Sequence, residues 1–142
     1  MASKVFADAN LLLDFTLQRT GFQNASDIIQ LAIDGTLELC TTPAVLHVTA
    51  YYTGQAYTSQ QAKQIILTLL NDVRIIDCDH ASALIAANSA IDDLEDALQY
   101  YTALAHQVDY FISGDKKLKK ASLPQLPVYT ASEFLDEFQS ED

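Results

Sequence analysis

Positive charge is scarce in this chain: 8 Lys and Arg stand against 19 Asp and Glu, a net charge of −11 over 142 residues. A surface of that sign repels polyanions at long range, which excludes a protein that coats nucleic acid in general. Cysteine is scarcer still. Cys40 and Cys78 lie far apart, form no CxxC pair and belong to no Cys/His cluster. Two buried thiols in a reducing compartment are therefore expected, rather than a disulfide or a zinc site. No stretch approaches the roughly 18 apolar residues of a membrane span. The start, Met1 to Asp8, meets an acid before any long apolar run, so no secretory signal is expected and the expected location is the cytoplasm. Repeats, linkers and low-complexity segments are lacking as well.

What is present suffices for one core: 49% of the residues are hydrophobic and 9% aromatic. A single domain is expected over 1–138, followed by an acidic tail over 139–142. The few cations are clustered. Lys116, Lys117, Lys119 and Lys120 fall in one five-residue window directly after Asp115, whereas the segment from Glu133 to Asp142 is acidic.

Along the chain, Lys4 to Ala7 is a short apolar strand that runs into Asp8, and a helix from Ala9 to about Leu17 follows. A second helix around Ile28–Ile33 is closed by Gly35, and Leu37–Thr41 is the next strand. Pro43 opens a helix that should break at Gly54, and Ser59 begins another that reaches Leu70. Val73–Ile76 is a third strand. Asp79 caps a helix to Asn88, a further helix runs from about Asp93 to His106, and Tyr110–Ser113 is a fourth strand that ends just before Asp115. Pro127–Tyr129 is a fifth, and Thr130 caps an amphipathic helix. Five short apolar strands alternating with helices predict an α/β fold, a three-layer α/β/α sandwich around a mainly parallel five-stranded sheet. Ligands of such sheets sit beyond the carboxyl ends of the strands, where Asp8 and Asp115 fall.

Asp93 and Asp96 are three apart at a helix start, so their side chains share a face and a loop return can aim them at the same crevice. Two carboxylates about 4 Å apart repel by about 4 kcal/mol at an effective dielectric near 20, unless one is protonated or a cation intervenes. Oxygen donors without His or Cys suit Mg²⁺ or Mn²⁺. A metal so held favours hydrolysis of a phosphate ester, with Lys116 and Lys117 placed to grip flanking phosphates. Each residue alone also has a plainer role. Acids at helix starts commonly answer the macrodipole, strand-end acids form turns, and Lys116–Lys120 reads as a solvated loop.

Three segments, Val5–Asp14 (VFADANLLLD), Leu94–Tyr101 (LEDALQYY) and Phe111–Lys117 (FISGDKK), in that order and spacing, resemble the PIN domain, the fold of VapC-like toxins. The resemblance covers essentially the whole chain. It implies that Asp8, Asp96 and Asp115 are metal-binding acids, Asp93 a further acid of the cluster, and Asn10 and Ser113 supporting polar groups. It further implies a Mg²⁺- or Mn²⁺-dependent ribonuclease with an RNA substrate, a small antitoxin protein as partner and a homodimer as one assembly.

One position departs from the family pattern. The usual glutamate of the helix after the second strand aligns with Val48, and no neighbour there is acidic. His47 is adjacent and could supply a ligand or a proton, although a lone His on a largely apolar helix is more commonly a packing residue. The alternative is therefore a catalytically impaired PIN-fold module that binds RNA or protein. A phosphatase resembling the haloacid dehalogenase superfamily would need a second acid where Asn10 stands. Tyr51, Tyr52, Tyr57, Phe134 and Phe138 could form a partner groove but are mostly expected in the core.

Overall fold

In the computed structural model, which describes residues 2–140, the sheet is built outward from β1 (Ser3–Ala7). Val5, Phe6 and Ala7 are consecutive and all have no exposed surface, so both faces of this strand are covered. Beside it lie β2 (Leu37–Thr41) and then β3 (Val73–Ile75) on one side, β4 (Tyr110–Ile112) and then β5 (Val128–Tyr129) on the other. All four pairings are parallel. The order β3-β2-β1-β4-β5 places the topological switch point between β1 and β4, where the chain crosses from one half of the sheet to the other.

Eight helices are found among the described residues. After β1 come α1 (Ala9–Thr16) and α2 (Phe22–Ile33), and Gly35 at φ 77 supplies the left-handed turn into β2. α3 (Pro43–Ala56) and α4 (Ser59–Leu70) connect β2 to β3, and α5 (His80–Ala87) and α6 (Leu94–Ala105) connect β3 to β4. α7 (Lys116–Ala121) lies between β4 and β5, and α8 (Ala131–Ser140) ends the described chain. Phe6 and Phe111 stack on one sheet face at 4.6 Å, and Tyr100 of α6 packs on Phe111 from above. The Tyr100 hydroxyl is not orphaned by burial: it donates to Leu126 O at 2.8 Å and accepts from Leu123 N at 2.7 Å.

Several expectations need correction. Gly54 does not end α3, which continues to Ala56, because a glycine in the right-handed region weakens a helix without stopping it. The cap of α4 is Thr58, in a reciprocal capping box with Gln61, rather than Ser59. The lysine-rich segment is a helical turn and a half rather than a loop, because the Asp115 carboxylate binds two of its first amides and Leu118 is buried. Cys40 is buried, and burial pushes its thiol up to about 12, but Cys78 is exposed. Phe134 is in the core, whereas Tyr51, Tyr52 and Tyr57 are exposed. The expected acidic tail is helical as far as Ser140, and its last two residues, 141–142, lie outside the described residues.

Candidate metal and phosphate site

Three helices begin in the same way, with an aspartate at the N-cap: α1 and α7 directly after β1 and β4, and α6 after the loop from α5. Asp8 caps α1, with Oδ1 accepting from Leu11 N at 2.9 Å. Asp93 caps α6, accepting from Asp96 N at 3.1 Å. Asp115 caps α7, accepting from Lys117 N at 2.9 Å and Leu118 N at 3.3 Å. The plainer role assigned to these residues is therefore real, and it is what aims them: a cap carboxylate is held at the helix end by the amides it satisfies.

Ser113 joins the first and third of these. Its hydroxyl is hydrogen-bonded to the Asp8 carboxylate and accepts from Asp115 N at 3.1 Å, bridging the ends of β1 and β4. Asp96, in the first turn of α6, is hydrogen-bonded to the Asp115 carboxylate. Two carboxylates can share such a bond only with a proton between them. Of the two, Asp96 binds a proton the more tightly: burial raises it to about 6, with the bond to Asp115 and the charges of Asp93, Asp115 and Asp8 adding to the effect, so the shared proton is held in mild acid and released toward neutral pH. Asp115 moves the other way, held low first by the Leu118 amide. Asp8 is also raised to about 6, again by burial, against the lowering effect of its Leu11 and Ser113 bonds.

The structure thus brings Asp8, Asp96 and Asp115 together, with Asp93 close enough for its charge to act on Asp96. Asp93 does not share a helix face with Asp96 as expected, since it stands before the helix as its cap. A cleft of about 350 Å³ opens beside them, lined by Asp93, Asp96, Asp115, Lys117 and Lys120 among others. Lys120 takes the place in its wall that was expected of Lys116, which is exposed elsewhere on the turn. Asn10 is exposed at the start of α1 and accepts from Arg19 Nη2 through its side chain at 3.3 Å. His47 is exposed and has no hydrogen-bond partner among the described residues, so neither packing nor the acid cluster engages it.

Sequence reasoning passed over Arg19 and Gln99. Arg19 follows the first acidic motif by five residues and its charge lowers the Asp8 carboxyl, but a single arginine in a turn carries no periodic signal. Gln99 lies one turn beyond Asp96 and accepts from the Thr42 hydroxyl at the start of α3. That link spans 57 residues and is invisible in a linear pattern.

A family model of the PIN domain matches residues 4–117. The chain belongs to the PIN-domain family. Solved structures with a similar fold include VapBC2 from Rickettsia felis bound to a DNA fragment from its promoter, at a TM-score of 0.67 and 15% identity over 89% of this chain and 98% of that one. VapC20 from Mycobacterium tuberculosis, a toxin that cleaves the sarcin-ricin loop, gives 0.64 and 12% over 85% and 97%. A toxin–antitoxin complex from Klebsiella pneumoniae gives 0.65 and 20% over 91% and 98%. No curated protein matches the chain in sequence. No helix among the described residues is long and apolar enough to cross a membrane.

PIN-domain nucleases generally use a divalent metal. Among the described residues, no three His, Cys, Asp or Glu side chains are already arranged to hold an ion. The donors fit one in kind. All are carboxylate oxygens, and the charges of Asp93, Asp115 and Asp8 that help raise the Asp96 carboxyl mark where a positive charge is wanted.

Proposed function

We propose that this PIN domain is a metal-dependent endoribonuclease, the toxin of a toxin–antitoxin pair, that hydrolyses RNA phosphodiester bonds in the cytoplasm. The observation that carries the reading is the meeting of Asp8, Asp96 and Asp115, from three separate segments, beside Lys117 and Lys120 at the switch point. These three acids would hold Mg²⁺ or Mn²⁺, which when bound neutralises phosphodiester charge and acidifies a water. Ser113 keeps Asp8 and Asp115 in register, and Asn10, two residues after Asp8, is a polar support. Asp93 faces the same cleft with one oxygen on the Asp96 amide, and serves to orient the attacking water or accept its proton. Lys117 and Lys120 bind phosphate oxygens, and Lys116 adds only long-range charge.

A small antitoxin with a basic segment fits the acidic surface. The exposed Tyr51 and Tyr52 of α3 suit either that partner or a second copy of the chain. One observation favours a second reading, a PIN-fold binding module that cuts nothing: α3 carries Val48, 36% exposed, where the family pattern has an acid.

The test is incubation of pooled RNA with the protein in Mg²⁺, Mn²⁺ or EDTA, beside Asp96→Asn. Metal-dependent cutting that disappears in the variant supports the nuclease. RNA left intact in every lane, with the ion still bound, supports the binding module instead.

A further inference from the structure

Lys117 and Lys120 line the cleft with Asp93, Asp96 and Asp115, but a further cation stands outside that cleft, beside Asp8 and Asn10. After α1 the chain turns back through Gln18 at φ 51, in the left-handed region, so the Arg19 side chain runs along α1 toward its start. Its Nε donates to Asp14 Oδ1 at 2.8 Å, and its Nη2 donates to Asn10 O at 3.1 Å and to Asn10 Oδ1 at 3.3 Å. Gly21 completes the turn, because a Cβ there would overlap the Asp14 carboxylate. One left-handed residue and one missing Cβ thus serve to hold one guanidinium in place.

An exposed arginine–aspartate pair alone contributes little to folding. What distinguishes this one is its direction and what it leaves free. A guanidinium has five N–H donors in a planar fork, and the Nη1 pair has no partner among the described residues. The side chain is 40% exposed and lies close enough to Asp8 for its charge to be felt there. A polyanion that crosses a cluster of carboxylates needs cations where its flanking phosphates fall, and an arginine already oriented by two partners loses little freedom on binding one.

We infer that Arg19 binds a phosphate of the RNA strand on the α1 side of Asp8, so that the strand crosses the acids between Arg19 and the Lys117–Lys120 edge. The inference rests on the nuclease reading above. It is tested with the intact protein and a short fluorescein-labelled single-stranded oligoribonucleotide, with Ca²⁺ replacing Mg²⁺ to prevent cleavage, by measuring affinity over a salt series. Loss of one phosphate contact makes the slope of log affinity against log salt shallower by about 0.7 for a single strand. Arg19→Gln is expected to show that change, Arg19→Lys to restore the slope with weaker binding, and Thr20→Lys, on the neighbouring exposed residue, to steepen it. A wild-type slope in Arg19→Gln, or no steepening in Thr20→Lys, overturns the inference while leaving the nuclease reading standing. Failure of the unaltered protein to bind the oligonucleotide at all overturns both.

Discussion

The carboxyl end of the sheet is formed by two kinds of helix start. α1, α6 and α7 begin on Asp8, Asp93 and Asp115, whereas α3 begins on Thr42, whose hydroxyl accepts from Val45 N at 3.3 Å and donates to Gln99. All four caps solve the same problem, the unsatisfied amides of a first turn, but only the aspartates bring a charge. On the acidic wall the cap also serves as a candidate ligand; burial raises the carboxyls of Asp8 and Asp96, and at Asp96 the charges of the neighbouring acids add to it. At α3 the cap is neutral, and Val48 stands where the family pattern has an acid. A site is thus assembled on one side from residues that stabilise their helices and destabilise one another.

Breaking the acidic wall should have the largest effect. Asp96→Asn removes the carboxylate nearest Asp115 and should lower metal-dependent RNA cleavage by about 100-fold or more, the upper range seen when even an indirect partner of a metal ligand is lost. A gel assay of cleavage rate checks this. Giving the neutral wall an acid sharpens the comparison from the other side. Val48→Glu should raise the cleavage rate by about tenfold, equivalent to about 1.4 kcal/mol, with little loss of stability because the side chain is partly exposed. An unchanged rate would mean that the acidic wall is complete as it stands.

Asp8 separates charge from capping. Burial raises its folded carboxyl from 3.8 to about 6, so the native state holds the proton more tightly than the unfolded chain does. The resulting stability is fully present below the unfolded value and is lost as pH rises through about 6. The full shift corresponds to about 3 kcal/mol, an upper bound because the residue retains some exposure. Asp8→Asn caps equally well. Without metal it should therefore melt higher than the parent near neutral pH, by up to that amount, and lack this pH dependence. Denaturant melts across the acidic range decide the matter.

Gly21→Ala pushes a Cβ into the Asp14 carboxylate, which must swing away from Arg19, and should cost under about 1 kcal/mol, the range of an exposed ion pair, read as a slightly lower melting midpoint. The smallest effect is expected where the acidic wall is tethered to α8. Lys119 binds Glu133 at 2.8 Å, and that bond holds the Glu133 carboxyl down at about 2. Its contribution is present above the unfolded pKa of 4.5 and is lost as pH falls toward about 2. Glu133→Gln should lower the melting temperature slightly at neutral pH, and high salt should abolish the difference.

The strands were legible because each is a short apolar run next to a turn or an acid, and β2 appears at Leu37–Thr41 as expected. The acids were legible by position, since Asp8 and Asp115 follow strands that the alternating pattern makes parallel. What misled was local composition taken without its partners. Lys116–Lys120 looks like a solvated loop until the Asp115 cap and the buried Leu118 are in place. Tyr51, Tyr52 and Tyr57 look like core residues, but α3 buries Val45, Thr49 and Thr53 instead.

By itself, the sequence determined the alternation of strands and helices, the parallel sheet and the chain positions of the four acids, because hydrophobic period and capping chemistry act over a few residues. Only the tertiary structure decided which carboxylate binds a proton more tightly, because that depends on which one receives backbone amides and which one is enclosed. Asp115 receives two amides, which hold its carboxyl low, while Asp96 is desolvated and its carboxyl is raised to about 6. The same holds for Arg19, whose reach to Asn10 depends on a left-handed residue and a missing Cβ that bring distant atoms of one short segment together.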